Sequence, residues 1–185
     1  FGRKAAEYRE GLYVGYRYYE SAGIPVAFPF GHGLSYTAFS YRNLVVKGEA
    51  PRLRVTVTVT NVGAVPGAET AQLYLVPPAG GPYRPVRELR SFAKVFLRPG
   101  ESRAVTFSLE ERDFSLWQEE GWRLAPGRYR LLVGASWEEI RATLQREQVA
   151  LIGEEDPETP WKIAGVDGET LDFLRRTADL VLVEA

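Results

Sequence analysis

Acid–base and nucleophilic chemistry needs a carboxylate pair, an imidazole, or an activated thiol or hydroxyl, and this chain offers few of them. Its adjacent carboxylates are Glu110-Glu111, Glu119-Glu120, Glu138-Glu139 and Glu154-Glu155. Neighbouring residues on a strand point to opposite faces, so such pairs suit a joint site poorly. They read as solvated turn and surface charge. The single histidine, His32, stands between Gly31 and Gly33. With no serine on a nucleophile elbow to serve, it reads as a loop residue that fixes a turn. There is no cysteine, which excludes disulfides, thiolate metal sites and a cysteine nucleophile. One imidazole cannot build a histidine-rich metal centre. The expectation is that no residue here is catalytic, cofactor-binding or metal-ligating.

Binding chemistry has better candidates. Tyr8, Tyr13, Tyr16, Tyr18, Tyr19, Phe28, Phe30 and Tyr36 crowd the first part of the chain. They offer either stacking faces for a ligand ring or packing area for a neighbouring domain. Trp117 and Trp122 flank Gln118-Glu-Glu-Gly121, a predicted hairpin, where they read as a ligand platform or as edge packing. The loop from Pro77 to Val86 holds Tyr83 and Arg84 among prolines and glycines. Long irregular loops are enriched in function, and a plain connection between strands fits this one as well.

Hydrophobic residues make up 45% and charged residues 25% of the 185, with a formal net charge of -1. These are globular values. The charge removes the electrostatic reason to expect nucleic acid or an anionic membrane as a partner. No apolar run approaches the ~20 residues of a membrane-spanning helix. Without a methionine, and beginning at Phe1, the sequence reads as a piece of something longer.

The elements that would position these residues are mostly strands. In 53–60, Leu53, Val55, Val57 and Val59 alternate with Arg54, Thr56, Thr58 and Thr60, which predicts a strand with one buried and one wet face. Further strands are expected at 71–76, 91–97, 103–109 and 128–133, with the last starting at Ile140. Turns are marked by Asn61-Val-Gly63, Pro66-Gly67, Pro99-Gly100 and Pro126-Gly127. Tyr129, just after a turn, is placed to form a tyrosine corner. The pattern predicts an all-β chain with an antiparallel β-sandwich over 37–151. Residues 1–36 read as a junction segment with a short strand near 12–18 and an irregular connector. Residues 152–185 read as an acidic linker followed by a short helix at 168–182.

Two runs then carry a resemblance. Glu10-Gly-Leu-Tyr-Val-Gly-Tyr-Arg-Tyr-Tyr-Glu20 and Phe28-Pro-Phe-Gly-His-Gly-Leu-Ser-Tyr-Thr37 closely resemble a junction in family 3 glycoside hydrolases of the β-glucosidase type. There the second catalytic domain ends and a fibronectin type III-like domain begins. Asn61-Val-Gly63, Gly67-Ala-Glu69, Gln72-Leu-Tyr-Leu75, Arg84-Pro-Val-Arg-Glu-Leu-Arg-Ser-Phe92, Leu97-Arg-Pro-Gly-Glu-Ser102, Pro126-Gly-Arg-Tyr129 and Val133-Gly-Ala-Ser136 resemble that domain in consistent order. The family often has Asp where Glu20 stands. The resemblance implies that 1–36 ends the preceding α/β catalytic domain, that 37–151 is a fibronectin III-like sandwich and that 152–185 is an extension. It also implies a parent that hydrolyses β-glucosides with retention, using two carboxylates ~5–5.5 Å apart, and a loop such as 77–86 that can approach its entrance. Neither catalytic motif is matched in this sequence. The expected function is therefore a non-catalytic accessory domain that stabilises the catalytic domains of the same enzyme and borders the substrate entrance. The alternatives are a carbohydrate-binding module for oligosaccharide, or a structural, oligomerising sandwich.

Overall fold

The computed structural model describes residues 9–78, 84–118, 120–143 and 149–151, with backbone alone at 142–143 and 149–151. The alternating run becomes β2 (Arg52–Asn61), whose Leu53, Val55, Val57 and Val59 are buried. It is the centre of a three-stranded antiparallel sheet, between β1 (Phe39–Glu49) and β5 (Ser102–Leu109). The second sheet runs in the order β10 (Val149–Leu151), β8 (Gly127–Gly134), β3 (Gly67–Val76), β4 (Glu88–Leu97), and β9 (Ile140–Thr143) also pairs with β8. A 3₁₀ turn at Glu111–Phe114 leads into a separate hairpin of β6 (Ser115–Gln118) and β7 (Gly121–Leu124). Inward side chains of the two sheets meet in one core that holds Val57, Leu73, Phe107, Phe114, Tyr129 and Leu131. The architecture is the expected antiparallel sandwich.

Tyr129 forms the expected corner. Its hydroxyl donates to the carbonyl of Ala125 at 2.9 Å, and its ring meets Phe114 edge-on at 5.2 Å. Asn61 does more than mark a turn. Fully buried, it accepts from Thr37 Oγ1 at 2.6 Å and from the Gly63 amide at 3.0 Å. Its amide donates to the carbonyls of Val65 at 2.9 Å and Leu97 at 3.0 Å. One side chain thus satisfies backbone groups from two strand ends, which holds the two sheets in register at this corner.

Three local expectations are corrected. The strand near 12–18 is instead a helix, α1 (Tyr16–Ser21). Gly15, at φ 60°, turns the chain, and its carbonyl accepts from Tyr18 and Tyr19 at 3.1 and 3.3 Å. The helix sets Tyr16 and Glu20 on one face, at i and i+4, where both meet the second sheet. Second, β1 is a strand that no run of alternation marks. Asn43, at φ 53°, sits where the pairing register shifts between Arg42 and Val45. Inward positions change from Phe39 and Tyr41 to Leu44 and Val46, so no single alternation runs through it. Third, the strand from Ile140 is not the last, because β10 pairs antiparallel with Gly127–Tyr129. The expected helix at 168–182 and the acidic stretch before it lie outside the described residues.

Candidate functional site

Sheets packed on one face alternate in burial, but β3 and β8 do not. Leu73, Tyr74 and Leu75 are buried in succession, as are Leu131, Leu132 and Val133. Both strands are covered on both sides. The outer cover is the junction segment. Tyr16 and Val26 pack with Tyr74, Leu132 and Trp137 in a second, smaller apolar cluster. Tyr16 stacks on Phe30 at 4.8 Å and meets Tyr74 edge-on at 6.2 Å.

Polar contacts fasten this layer. The Leu89 amide on β4 donates to Tyr16 Oη at 2.8 Å, and the Trp137 amide donates to the Phe30 carbonyl at 3.1 Å. Gln72 donates to the carbonyls of Ala135 and Gly31 and accepts from Tyr74 Oη at 2.6 Å. Gly31, at φ 84°, lies so close that an added Cβ would collide with the Gln72 amide. Glu20 is ion-paired with Arg87, which also donates to the Trp137 carbonyl at 2.8 Å. Glu88 gathers Arg84 at 2.7 Å, Arg90 at 2.8 Å and Arg17 of α1 at 3.8 Å. Burial raises the Glu20 carboxyl above its ordinary 4.5, and Arg87 offsets part of that rise. Burial likewise pushes the Tyr74 phenol up. Both shifts come chiefly from burial, and Arg87 works against each.

The layer is itself only half covered. Phe28 is 75% exposed, Leu34 93% and Tyr36 102%. On β4, Phe92 lies opposite Gln72 and Phe96 opposite Ala68. Both rings stand exposed on the same outer face as the junction. The aromatic segment therefore uses Tyr16 and Phe30 to hold the sheet and leaves Phe28 and Tyr36 facing outward.

The remaining candidates are dispersed. Glu110 and Asp113 close a capping box around the 3₁₀ turn. Glu139 pairs with Arg141, and Glu120 lies 3.6 Å from Arg123 on the hairpin. The Glu154-Glu155 pair and Glu119 fall outside the described residues. The backbone amide of His32 donates to the Pro29 carbonyl at 2.9 Å, and its ring stacks on Phe28 at 5.5 Å, as suits a turn residue. Arg84 is held by Glu88 and donates to Tyr129 Oη at 3.3 Å. It is tied to the sandwich, which counts against its lining an entrance. Tyr83 lies outside the described residues. Trp117 and Trp122 do form the expected hairpin pair, but their rings stand at 71° rather than coplanar.

Comparison with known proteins agrees with this geometry. The model of the fibronectin type III-like domain matches residues 69–137. A probable β-glucosidase I of Aspergillus clavatus is 46% identical over 144 residues, covering 72% of this chain and 17% of that protein. An exo-α-(1→6)-L-arabinopyranosidase of Bifidobacterium longum is 42% identical over 164 residues, covering 86% of this chain and 21% of that protein. The crystal structure of a family 3 β-glucosidase from Bifidobacterium adolescentis superposes with TM-score 0.72 at 41% identity, over 79% of this chain and 23% of that one. The chain thus spans about a fifth of the length of the relatives it matches. It carries a fibronectin type III-like domain and, in sequence and fold, is similar to the corresponding part of the β-glucosidases of glycoside hydrolase family 3.

Proposed function

We propose that this chain is a non-catalytic accessory part of a β-glucosidase-type enzyme, and that its work is to dock on and stabilise that enzyme's catalytic domains. The observation that carries this reading is the half-covered outer layer. The junction is held to the second sheet through Tyr16 to Leu89, Gly31 to Gln72 and Glu20 to Arg87, yet it exposes Phe28, Leu34 and Tyr36, and Phe92 and Phe96 stand exposed on β4. Large apolar side chains left exposed in this number suit an interaction surface. Its continuity with residues 9–36 makes the preceding part of the parent chain the natural occupant. The parent would hydrolyse a terminal β-linked sugar with retention, through a carboxylate pair supplied entirely by its other domains.

Two measurements test this. The purified 185-residue chain should give no turnover of an aryl β-glucoside under conditions where the full-length parent does. Robust turnover would place a working carboxylate pair in this chain and overturn the reading. Replacing Phe28 and Tyr36 by Ser in the full-length parent should lower the parent's thermal midpoint. The same pair of changes in the isolated chain should leave its midpoint nearly unchanged. Equal losses in both proteins would mean that these rings support only the sandwich itself.

A further inference from the structure

Docking accounts for the exposed aromatics, but not for the charge gathered where β4 begins. Three guanidiniums share one carboxylate there. Arg84 and Arg90 both donate to the same Glu88 oxygen, and Arg17 of α1 stands 3.8 Å from the other. Arg90 sits where the β3–β4 register shifts, between Leu89 and Ser91. A bulge of this kind re-aims the extra side chain. Among the described residues no second carboxylate pairs with any of the three, and the neighbouring Arg87 is already met by Glu20. The cluster therefore keeps two positive charges unmet. Its donors are unmet too: Arg84 Nε and Arg90 Nε are buried without a partner. The Nε–Nη2 edge of a guanidinium is a fork matched to the two oxygens of a carboxylate. Glu88 engages only the Nη2 half of each.

A source of carboxylates lies at the same end of the sheet. β10 ends at Leu151, opposite Gly127, two residues before Tyr129, whose hydroxyl accepts from Arg84 at 3.3 Å. After Leu151 the chain next carries Glu154-Glu-Asp-Pro-Glu158. β10, β8, β3 and β4 stand side by side, about 4.8 Å apart, so about 15 Å separates Leu151 from the start of β4. About five extended residues span that distance, and a residue before proline, here Asp156, favours extended backbone. Charge is divided along the chain in the same sense. Residues 152–185 hold nine acidic and three basic side chains, while the rest of this chain of net charge -1 carries five positive charges in excess.

We propose that the acidic run 154–158 folds back across this end of the second sheet and gives carboxylates to the arginine cluster. The proposal goes beyond the docking reading and does not depend on it. Tethering three residues from β10 gives this run a high effective concentration at the cluster, which a carboxylate from elsewhere lacks. Contact would begin at Arg17 and Arg90, whose side chains are 32% and 19% exposed, with Arg84 deeper at 6%. So placed, the run is a clasp that ties β10 and β4, at opposite sides of the sheet, to each other.

The test uses the 185-residue chain, whose lack of cysteine lets Thr159→Cys provide a single attachment point for a nitroxide. Broadening of backbone amide signals then reports where the label dwells. The amides of Arg17, Glu88 and Arg90 should be broadened at low salt. The broadening should be lost at about 1 M sodium chloride. It should also be lost in a labelled chain carrying Glu154→Gln, Glu155→Gln, Asp156→Asn and Glu158→Gln. That variant keeps the tether and removes only the charge, and unmoved amide signals from β2 report an intact sandwich. Arg17→Gln, at the most exposed member of the cluster, should reduce the broadening without disturbing those signals. Equal broadening in the charged and neutralised chains, or none at these amides in either, overturns the proposal. So do Arg84 and Arg90 Nε–H signals that shift only when the preceding part of the parent is added, which would give the cluster to a carboxylate of that part. Failure here leaves docking untouched, because docking is read from the parent's thermal midpoint with Phe28 and Tyr36 replaced.

Discussion

The two apolar layers of this molecule are built by different rules. Between the sheets, Val55, Val57, Val59, Leu73 and Leu131 meet, and β2 and β5 contribute inward residues at every second position. On the outer side of β3 and β8, a segment with little regular structure is held by a few rings and several side-chain-to-backbone hydrogen bonds. The first layer is closed on both sides and stabilises itself. The second is closed on one side, so its rings serve two masters: Tyr16 and Phe30 face the sheet while Phe28 and Tyr36 face outward. A domain can thus carry its own docking surface as a third layer, attached more weakly than its core.

That difference can be broken most forcefully from the inner layer. Phe114→Ala removes a fully buried ring stacked edge-on to Tyr129 and should cost about 3–5 kcal/mol in denaturant-induced unfolding. Tyr16→Ala should cost less, about 1–2 kcal/mol. It should speed hydrogen exchange at the Leu89 amide far more than at core amides of β2. Equal exchange gains in both places would show one cooperative unit rather than two layers.

Acid sharpens the contrast in sign. The buried Glu20 carboxyl holds its proton to higher pH in the folded chain than in the unfolded one, where its ordinary value is 4.5. In the window between those two values the folded state binds more protons, so this group's contribution falls as pH rises through it. Below 4.5 both states are protonated and the penalty is gone. Glu101 is the reverse case. Its carboxylate accepts from the Arg98 amide and from Arg103, which lowers its pKa. Its contribution is present above 4.5 and is lost as pH falls through the lowered value. Glu20→Gln should therefore flatten the stability profile just above pH 4.5 and Glu101→Gln just below it, as read by thermal midpoints across acid pH. The smallest effect belongs to the wet face of the first sheet. Thr106→Val loses an exposed bond to Thr56 at 3.0 Å and should change stability by no more than about 0.5 kcal/mol.

The inner layer was legible in the sequence where period two ran unbroken, as in Leu53 to Val59, and at the turns that Pro and Gly impose. It was lost at β1, because the bulge at Asn43 moves the inward set from odd to even positions. The outer layer left two traces that alternation alone does not decode. Leu131-Leu132-Val133 and Leu73-Tyr74-Leu75 are apolar on both faces, which requires a cover on each side. Tyr16 and Glu20 stand four apart, which is helical spacing and not strand spacing. The polar fasteners, Asn61, Gln72 and the Glu20–Arg87 pair, were illegible, because each depends on which backbone groups the fold brings to it. The corner at Tyr129 was legible, since its partner Ala125 lies four residues away in the chain.

One bond in the outer layer has a consequence for how the protein keeps to itself. β4 ends its sheet, and an edge strand with free amides is a template on which another chain can add a rung. Tyr16 Oη takes the Leu89 amide, so a phenol stands where the next strand would begin its ladder. Cutting the chain between Tyr36 and Thr37 would remove that plug along with the rest of the cover. The trimmed sandwich would keep its core and lose its guard, and fibrous or amorphous growth from β4 would be its characteristic failure.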